Sequence, residues 1–479
     1  MRSKLWNSYT FFSILSVIIM YLGFSLNLYK ATDYERYYDD NYSFMKDSEI
    51  FSEIQFKGIF LTFDRYSESL VIGRLVKSRK NGLLSSGGFV GYFNDNIPDP
   101  PAVISESRFL HAYQYKLYLN ESLSSEFNHF QTYRSQSGGQ AFFLSVLDRI
   151  IIGKNSFKLA FYYHLMAAIS AIIIFLIILW FAKEFGLITG WLLVISFSLF
   201  CYPTLFAKSL WWILWAFYIP FLLFLYMLRK EELLQSQLSY TYFIMIGFCG
   251  MIIKIFFNGF EFITTTFFMA LIPMFYYGIK NEWDNKRLFN RLFFSILGIS
   301  LAIVISFMLL SLQFVFAGDS FGDGLKHIEE SYLKRTQMGK SDDPQVIALE
   351  QGVKGNLDEI LKYYILYPVA VDFRNYGINR VVRIKYFIIL FMISSVMLIY
   401  SKKIFGKKEV SSSLRALLIT LWLAIIPPLS WFVIFKQHSV IHQVHNPIVW
   451  YMPYMLYGVA LSGIFLKETI LRISVMGKN

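Results

Sequence analysis

The sequence predicts an all-α polytopic membrane protein, and three of its features lead to that prediction. The 479-residue chain is 55% hydrophobic and 19% aromatic, which is too apolar for one or two water-soluble domains of that length. Apolar windows of roughly 20 residues, the length that crosses about 30 Å of hydrocarbon, recur along the chain. The basic residues gather in the short segments between alternate windows, as the positive-inside rule requires of cytoplasmic loops.

Ten apolar windows have the composition of a transmembrane helix. In chain order they are 11–28, 159–182, 187–207, 209–228, 240–253, 262–279, 292–317, 386–400, 416–434 and 448–466. The first window follows Arg2 and Lys4 and has no small-residue cleavage site behind it, so we interpret it as a retained anchor with a cytoplasmic N-terminus. Ten spans then place the C-terminus in the cytoplasm as well.

These spans divide the chain into five parts. They are a first helix at 1–28, a large extracytoplasmic loop at 29–158, a six-helix block at 159–317, a second extracytoplasmic loop at 318–385 and a three-helix block at 386–479. Loops of this length are usually functional. Within 66–80 of the first loop, apolar residues recur at helical spacing among basic ones, which predicts a juxtamembrane helix lying in the headgroup layer.

The net charge of +12 and the two cysteines raise two further possibilities, a nucleic-acid-binding protein and a disulfide-linked protein. Because the basic residues lie mainly in short loops and at the membrane surface, topology and anionic lipid account for the charge, and no nucleic-acid partner is expected. Cys201 and Cys249 fall inside apolar windows, which excludes a disulfide framework. The sequence has no phosphate-binding glycine loop, zinc-type cysteine pair or nucleophile elbow in a suitable context.

Two carboxylates at the predicted outer boundary of the membrane are candidates for acid–base chemistry. In TFDRYSESLVIGRL, Asp64 and Glu68 stand four residues apart and would share a helix face. A carboxylate in apolar surroundings is a better general base because its pKa is raised. The alternative is that both acids offset the dipole of a surface helix and pair with Arg65 or Arg74.

The stretch TYRSQSGGQAFF places polar groups around two glycines shortly before the second window. Glycines let the backbone approach a ligand, and the Arg134 guanidinium and the Gln136 and Gln140 amides can hold hydroxyls or phosphate. The alternative is a turn that directs the chain into the membrane. Farther along, Lys254 and Glu261 lie at the ends of two neighbouring windows, where a charge must face water or be paired, for example with each other.

The stretch KQHSVIHQVHNPIVWY separates the last two windows. In a helix, His438, His442 and His445 would align at i, i+4 and i+7, a spacing that can hold zinc. Pro447 disfavours a helix at the residue before it, so a loop lining an outer cavity is an equal alternative, and we leave a divalent metal as a disfavoured option. Lys436 with the histidines would instead suit a phosphate, and interfacial anchoring is the remaining interpretation.

Taken together, these features resemble the GT-C superfamily of integral-membrane glycosyltransferases. A first span, a long outer loop with an acidic residue, short-looped spans and a second outer loop are typical of that family. DRYSESLVIGRLVKSRKNG is similar to the stretch that carries its catalytic carboxylate, YRSQSGGQ to a Tyr-x-Ser-Gln-x-Gly-x-Gln pattern, and KQHSVIHQVHNPIVWY to a late histidine motif. The family's first motif has adjacent acids, whereas Arg65 follows Asp64 here, so Asp64 and Glu68 both remain candidates and we favour Glu68.

The resemblance implies transfer of a sugar from a polyprenyl phosphate to a surface glycan or glycolipid such as O-antigen. The expected location is a bacterial inner membrane, with the active site facing the periplasm and no cofactor assigned. The implied site residues are Glu68 and Asp64 for catalysis; Lys436, His438, His442, His445 and Arg134 for the donor phosphate; and Tyr133, Gln136, Gln140 and Arg74 for the substrates.

Two other functional classes fit a polytopic chain. A flippase or transporter would favour charges deep in the spans and repeat-like halves. A polymerase or ligase of lipid-linked glycans would depend on arginines of a late outer loop, such as Arg374, Arg380 and Arg383.

Overall fold

The computed structural model describes residues 2–30, 64–94, 113–120, 129–336, 356–400, 411–441 and 445–476. Most of these residues lie in α-helices, accompanied by two antiparallel pairs of short strands. The predicted all-α class is therefore confirmed. The strand pairs were not predicted, and both lie in the segments assigned to the two long loops.

Seventeen of the described helices have assigned bounds. In chain order they are α1 (Arg2–Leu26), α2 (Arg65–Asn81), α3 (Gly139–Ile150), α4 (Asn155–Phe185), α5 (Leu187–Leu199), α6 (Cys201–Ala207), α7 (Leu214–Leu234), α8 (Tyr240–Asn258), α9 (Ile263–Lys280), α10 (Asn285–Phe316), α11 (Phe321–Thr336), α12 (Leu357–Leu366), α13 (Ile384–Ile399), α14 (Ser412–Leu423), α15 (Ile426–Ile434), α16 (Lys436–Ile441) and α17 (Tyr454–Met476). The strands are β1 (Val90–Phe93) paired with β2 (Phe130–Tyr133), and β3 (Val369–Asp372) paired with β4 (Val381–Arg383).

Several of these helices could span a membrane. In the described part of the chain, five segments are long and apolar enough: most of α1, α4, α8, α10, and α14 together with α15. A sixth candidate joins α5 and α6 across a bend of 72°. The bend occurs because Phe200 is extended, and Pro203 in the first turn of α6 has no N–H to continue the ladder of α5. The ten predicted spans and the sides of the two termini remain predictions.

Two predicted spans are wrong in their first turns. The window 448–466 starts within a 3₁₀ turn, Asn446–Tyr451, and α17 begins only at Tyr454. The window 209–228 was expected to be helical throughout, but α7 begins only at Leu214. Side chains hold the backbone before it in an irregular path, because the N–H groups of Trp211 and Trp212 donate to Ser209 Oγ and that of Ile213 donates to Asn258 Oδ1. We call residues 208–213 the connecting segment.

The helix expected in the headgroup layer is instead buried in protein. All residues of α2 from Ser67 to Val76 are buried, the charged Arg74 included. β1 and α3 pack against this helix and cover it. Arg74 is accommodated because its guanidinium donates to the carbonyls of Leu83 and Ser85, so a surface position is not needed to solvate the charge.

Aromatic side chains fill much of the core between α4, α9 and α17. Trp180 packs edge-on against Tyr276 with ring centroids 5.1 Å apart, and its indole N–H donates to the Tyr277 hydroxyl at 2.9 Å. Phe181 packs against Tyr457 in the same way, at 5.2 Å. Such rings bury large areas and fix the helices in one arrangement.

A buried carboxylate ties α2, α3 and α4 together. Asp148 accepts two hydrogen bonds from Arg79, at 2.5 and 2.7 Å, and one each from the hydroxyls of Tyr118 and Tyr162. Burial acts to raise the pKa of Asp148, but the hydrogen bonds from Arg79 and Tyr118 outweigh it, and the pKa lies below its ordinary value. The Arg79–Asp148 pair therefore holds α2 against α3, and the hydrogen bond from Tyr162 joins α4 to them.

We expect Asp148→Asn to destabilise the protein by about 3 kcal/mol or more, because it leaves the Arg79 charge without its counter-ion. Unfolding by SDS in mixed micelles measures the difference. Glu330→Gln is the control, since its ion pair with Lys326 is 62% and 74% exposed and its loss should cost no more than about 0.5 kcal/mol. Equal stability of the two variants would contradict the assignment.

Candidate active site

Asp64 lies at the start of α2, where both of its carboxylate oxygens are engaged. Oδ1 caps the helix by accepting from the backbone N–H of Ser67 at 3.1 Å. Oδ2 accepts from the indole N–H of Trp212 at 2.9 Å and lies 3.5 Å from His445 Nε2. The side chain is 11% exposed. Asp64 is therefore held in one orientation and can still be reached by a small group.

His445 completes a carboxylate–imidazole pair with Asp64. Its ring lies over the indole of Trp212, with centroids 5.2 Å apart. Burial lowers the pKa of His445, whereas Asp64 and Glu261 act to raise it, and the net shift is downward. Because the ordinary value is about 6.5, the imidazole is uncharged at neutral pH and can accept a proton.

A second carboxylate–imidazole pair lies beside the first. Glu261 Oε2 is 3.1 Å from His438 Nε2, and Glu261 Oε1 accepts from Arg335 at 3.2 Å. The charges of Asp64, Glu261 and His438 all act on His445, so the two pairs form one group. We call Asp64, His445, Glu261, His438 and Arg335 the carboxylate–histidine cluster.

A tight turn between α8 and α9 presents Glu261 to the cluster. Gly259 has a φ of +56°, which glycine adopts without strain. The ammonium of Lys254 donates to the carbonyls of Gly259 and Glu261 at 2.9 and 2.5 Å. Lys254 thus binds the backbone carbonyl of Glu261, the residue with which it was suggested to pair. These two hydrogen bonds stabilise the turn.

Glu68 lies one turn along α2 from Asp64 but in different surroundings. It is fully buried and accepts hydrogen bonds from the Leu210 N–H at 2.8 Å and from the hydroxyls of Tyr163 and Tyr115 at 2.7 and 3.2 Å. Leu210 belongs to the connecting segment, which also carries Trp212. Glu68 therefore fixes the segment whose indole orients Asp64, and it has no exposed surface on which to meet a substrate.

The structure separates the residues predicted to bind the donor phosphate. His438 and His445 lie in the carboxylate–histidine cluster, whereas the Lys436 side chain is exposed at the start of α16. Arg134 pairs with Asp319 at 2.8 Å and lies over the Phe314 ring. His442 lies outside the described residues. Helix α16 is described as far as Ile441, and His445 lies directly before the 3₁₀ turn Asn446–Tyr451, so the helical alignment of the three histidines stays a prediction.

The residues predicted to bind substrate also divide. Tyr133 lies near the cluster, since the charges of Arg335, Glu261 and Asp64 act on its hydroxyl, and burial raises its pKa. The side chains of Gln136 and Gln140 are buried, with 3% and 1% exposed, so neither reaches the solvent. Gly138 adopts a left-handed φ of +71° and starts α3, as the turn interpretation of this stretch predicts. Arg74 donates to the carbonyls of Leu83 and Ser85, which follow α2 in the chain.

An apolar cavity of about 450 Å³ adjoins the cluster. Its walls are mainly aromatic and aliphatic side chains of α9, α10, α11 and α15, among them Phe267, Ile303 and Ile328. Its polar lining includes Arg335, His327, Ser331 and Ser135. Burial, and secondarily the Arg335 charge, lower the pKa of His327, so the face of α11 that lines the cavity offers the fixed positive charge of Arg335 and neutral hydrogen-bonding groups.

Sequence reasoning missed Trp212 and Arg335 as members of the site. Trp212 stood inside a predicted span, and Arg335 in a mixed-charge stretch of the second loop. Neither has a local signal, because their partners Asp64 and Glu261 are 148 and 74 residues away.

Among the described residues, no three potential ligands converge in a way that could hold a metal ion. Comparisons with protein-family models, with curated proteins and with solved structures found no match for this chain. The resemblance to membrane glycosyltransferases therefore remains a prediction, and the geometry of the site carries the functional argument.

The lowered pKa values of His445 and His327 predict a loss of stability in mild acid. Below pH of about 6.5 the unfolded chain binds protons that the folded chain does not, so stability should fall as pH drops through 6.5 toward the lower folded values. Thermal unfolding in detergent at pH 7.5, 6.5 and 5.5 measures this dependence. A variant with both histidines changed to glutamine should show a weaker dependence, and a wild type that is equally stable at pH 5.5 and 7.5 would contradict the prediction.

Proposed function

We propose that this chain is an integral-membrane glycosyltransferase, which moves a sugar from a polyprenyl-phosphate donor to a hydroxyl of a surface glycan at the outer boundary of a bacterial inner membrane. One observation carries the proposal. A carboxylate–imidazole pair, Asp64 with His445, lies in one cluster with Arg335, which also lines an apolar cavity. Acid–base groups, a cation and a place for a lipid tail are what this reaction needs.

The cavity suits the donor lipid. Its aromatic and aliphatic walls match an isoprenoid chain, whose transfer from water is favoured by roughly 25 cal/mol per Å² of buried apolar area. Arg335, which lines the cavity and belongs to the carboxylate–histidine cluster, can form charge-assisted hydrogen bonds to a phosphate. His327, Ser331 and Ser135 lie beside it and add neutral donors. The phosphate would thus lie within the cluster while the tail extends between α9 and α10.

Asp64 is the proposed general base. The acceptor hydroxyl gives its proton to the Asp64 carboxylate as its oxygen forms a bond to the anomeric carbon. The bond from that carbon to the phosphate oxygen breaks, and its electron pair leaves with the phosphate, whose charge Arg335 stabilises. His445, 3.5 Å from Asp64, can take up the transferred proton because it is neutral. Glu261 accepts from Arg335 and contacts His438, which keeps both groups in place.

The sequence favoured Glu68 as the general base, whereas this mechanism gives that role to Asp64. Glu68 is enclosed by hydrogen-bond donors, so we assign it a positioning role through the connecting segment. The arginines expected of a polymerase or ligase lie elsewhere, and Arg374 is tied to Asp372 by hydrogen bonds of 2.6 and 2.8 Å. Arg335 also belongs to the second outer loop, and the polymerase or ligase alternative would use it as well. The pair of Asp64 with His445 supports transfer with a general base over that alternative and over a flippase.

We expect Asp64→Asn to reduce sugar transfer by about a hundredfold or more, the usual effect of losing a general base. Glu68→Gln should retain transfer within about tenfold, because tyrosine hydroxyls can reverse and accept from the glutamine amide. Membranes containing each variant are supplied with labelled polyprenyl-phosphate hexose and a surface-glycan extract, and the label in the glycan is counted. Absence of transfer by the wild type would overturn the proposal, and a selective loss in Glu68→Gln would move the base to Glu68.

We also expect Arg335→Ala to reduce transfer by about a hundredfold, because the leaving phosphate loses its stabilising charge. Arg335→Lys should recover part of the rate, since a point charge remains but the planar fork does not. Lys326→Ala removes a cation of the same helix that is 74% exposed, and it should leave the rate unchanged. Rates measured against donor concentration check both effects, and equal rates for Arg335→Ala and Lys326→Ala would refute the phosphate assignment.

A further inference from the structure

One face of the β1–β2 pair carries tyrosine and amide side chains beside the cluster. The register pairs Tyr92 with Gln131 and Val90 with Tyr133. Because side chains alternate along a strand, Tyr92, Gln131 and Tyr133 project from the same face of the pair, together with Val90, which is fully buried. The hydroxyl of Tyr92 donates to the amide oxygen of Gln131 at 2.7 Å, and the amide nitrogen of Gln131 is a donor as well.

This face is continuous with the proposed base. Tyr66, two residues after Asp64, packs edge-on against Tyr133 with ring centroids 6.3 Å apart. Tyr133 in turn lies within the influence of the Asp64 and Glu261 charges. Tyr66 is 39% exposed, and Gln131 is exposed. Tyr66, Tyr92, Gln131 and Tyr133, which we call the tyrosine face, therefore extend from Asp64 to the solvent-exposed side of the strands.

The chemistry of the tyrosine face matches a carbohydrate better than a lipid or a charged ligand. A pyranose presents C–H groups on its faces and hydroxyls on its edge, so it needs flat apolar rings with hydrogen-bonding groups between them. Tyrosine supplies a rigid ring with a polar end, and glutamine supplies both a donor and an acceptor. None of the four side chains is charged, which suits a polyhydroxylated ligand. By contrast, the cavity proposed for the donor lipid is almost entirely apolar.

We propose that the tyrosine face binds the acceptor as an oligosaccharide of at least two sugar units. The reacting sugar lies at Asp64 against Tyr66 and Tyr133, and the next units lie along Tyr92 and Gln131. This inference rests on the proposed function and extends it, since it makes the acceptor a glycan chain and excludes a single small hydroxyl compound. The donor and acceptor then approach the carboxylate–histidine cluster from different sides, the donor through the apolar cavity and the acceptor across the strands.

Glycan binding by the purified full-length protein tests the inference without any donor. The probe is a printed array of bacterial surface polysaccharides and their oligosaccharide fragments. We expect the wild type to retain at least one glycan of two or more units, and Tyr92→Ala and Gln131→Ala to bind it roughly tenfold more weakly. Tyr376→Ala is the matched control, because Tyr376 is a 43% exposed tyrosine of the β3–β4 turn, and it should bind like the wild type.

The possible outcomes separate this inference from the proposed function. Retention of no glycan, of single sugars only, or of the same glycans by all variants would overturn the tyrosine face as an acceptor site. The wild-type transfer assay is independent of the array, so transfer without array binding would refute this inference alone. If Tyr92→Ala and Gln131→Ala instead lower the amount of protein recovered in membranes, the face is an interfacial anchor and the inference is wrong.

Discussion

The hydrogen bonds to the buried Glu68 carboxylate are the constraint on which the site depends. A buried carboxylate that lost its donors would cost several kcal/mol, so the Leu210 N–H and the Tyr163 and Tyr115 hydroxyls are drawn to it. These three donors come from the connecting segment, from α4 and from the helical segment at 113–119. One side chain of α2 thereby fixes three separate parts of the chain, and Trp212 follows because it lies two residues after Leu210.

The chemistry lies where regular secondary structure stops. Inside an apolar helix every backbone group is satisfied, and there is little reason for a polar side chain. At the irregular connecting segment, at the turn around Gly259 and after α16, backbone groups need partners and side chains supply them. Asp64 caps a helix, Asn258 bonds both the N–H and the carbonyl of Ile213, and Lys254 binds two carbonyls of the turn. The groups that stabilise these breaks are the same groups that hold the cluster in position.

The proposed reaction also explains why the cluster has two carboxylate–imidazole pairs. The pair formed by Asp64 and His445 would handle the proton of the acceptor, whereas Glu261 with His438 would keep Arg335 at the phosphate. Because the charges of both carboxylates act on His445, a change at one pair would be felt at the other. The separation of roles follows from position, since Arg335 lines the apolar cavity and Asp64 adjoins the tyrosine face.

The sequence by itself determined the helical class and several members of the site. Apolar windows long enough to span a bilayer predict helices because burial and backbone satisfaction leave few other structures. Asp64 was named as an ionisable residue of the first outer loop, His438 and His445 as polar residues between two windows, and Tyr133 through the resemblance of YRSQSGGQ. Only the tertiary structure distinguishes the surroundings of Asp64 from those of Glu68. The two acids are equivalent in a helical pattern, and what distinguishes them is the set of donors that reach them from residues 47 to 148 positions away. The pairing of Glu261 with His438, across 177 positions, and the place of Arg335 beside an apolar cavity were likewise beyond the sequence, because burial and long-range hydrogen bonds arise only when distant helices pack together.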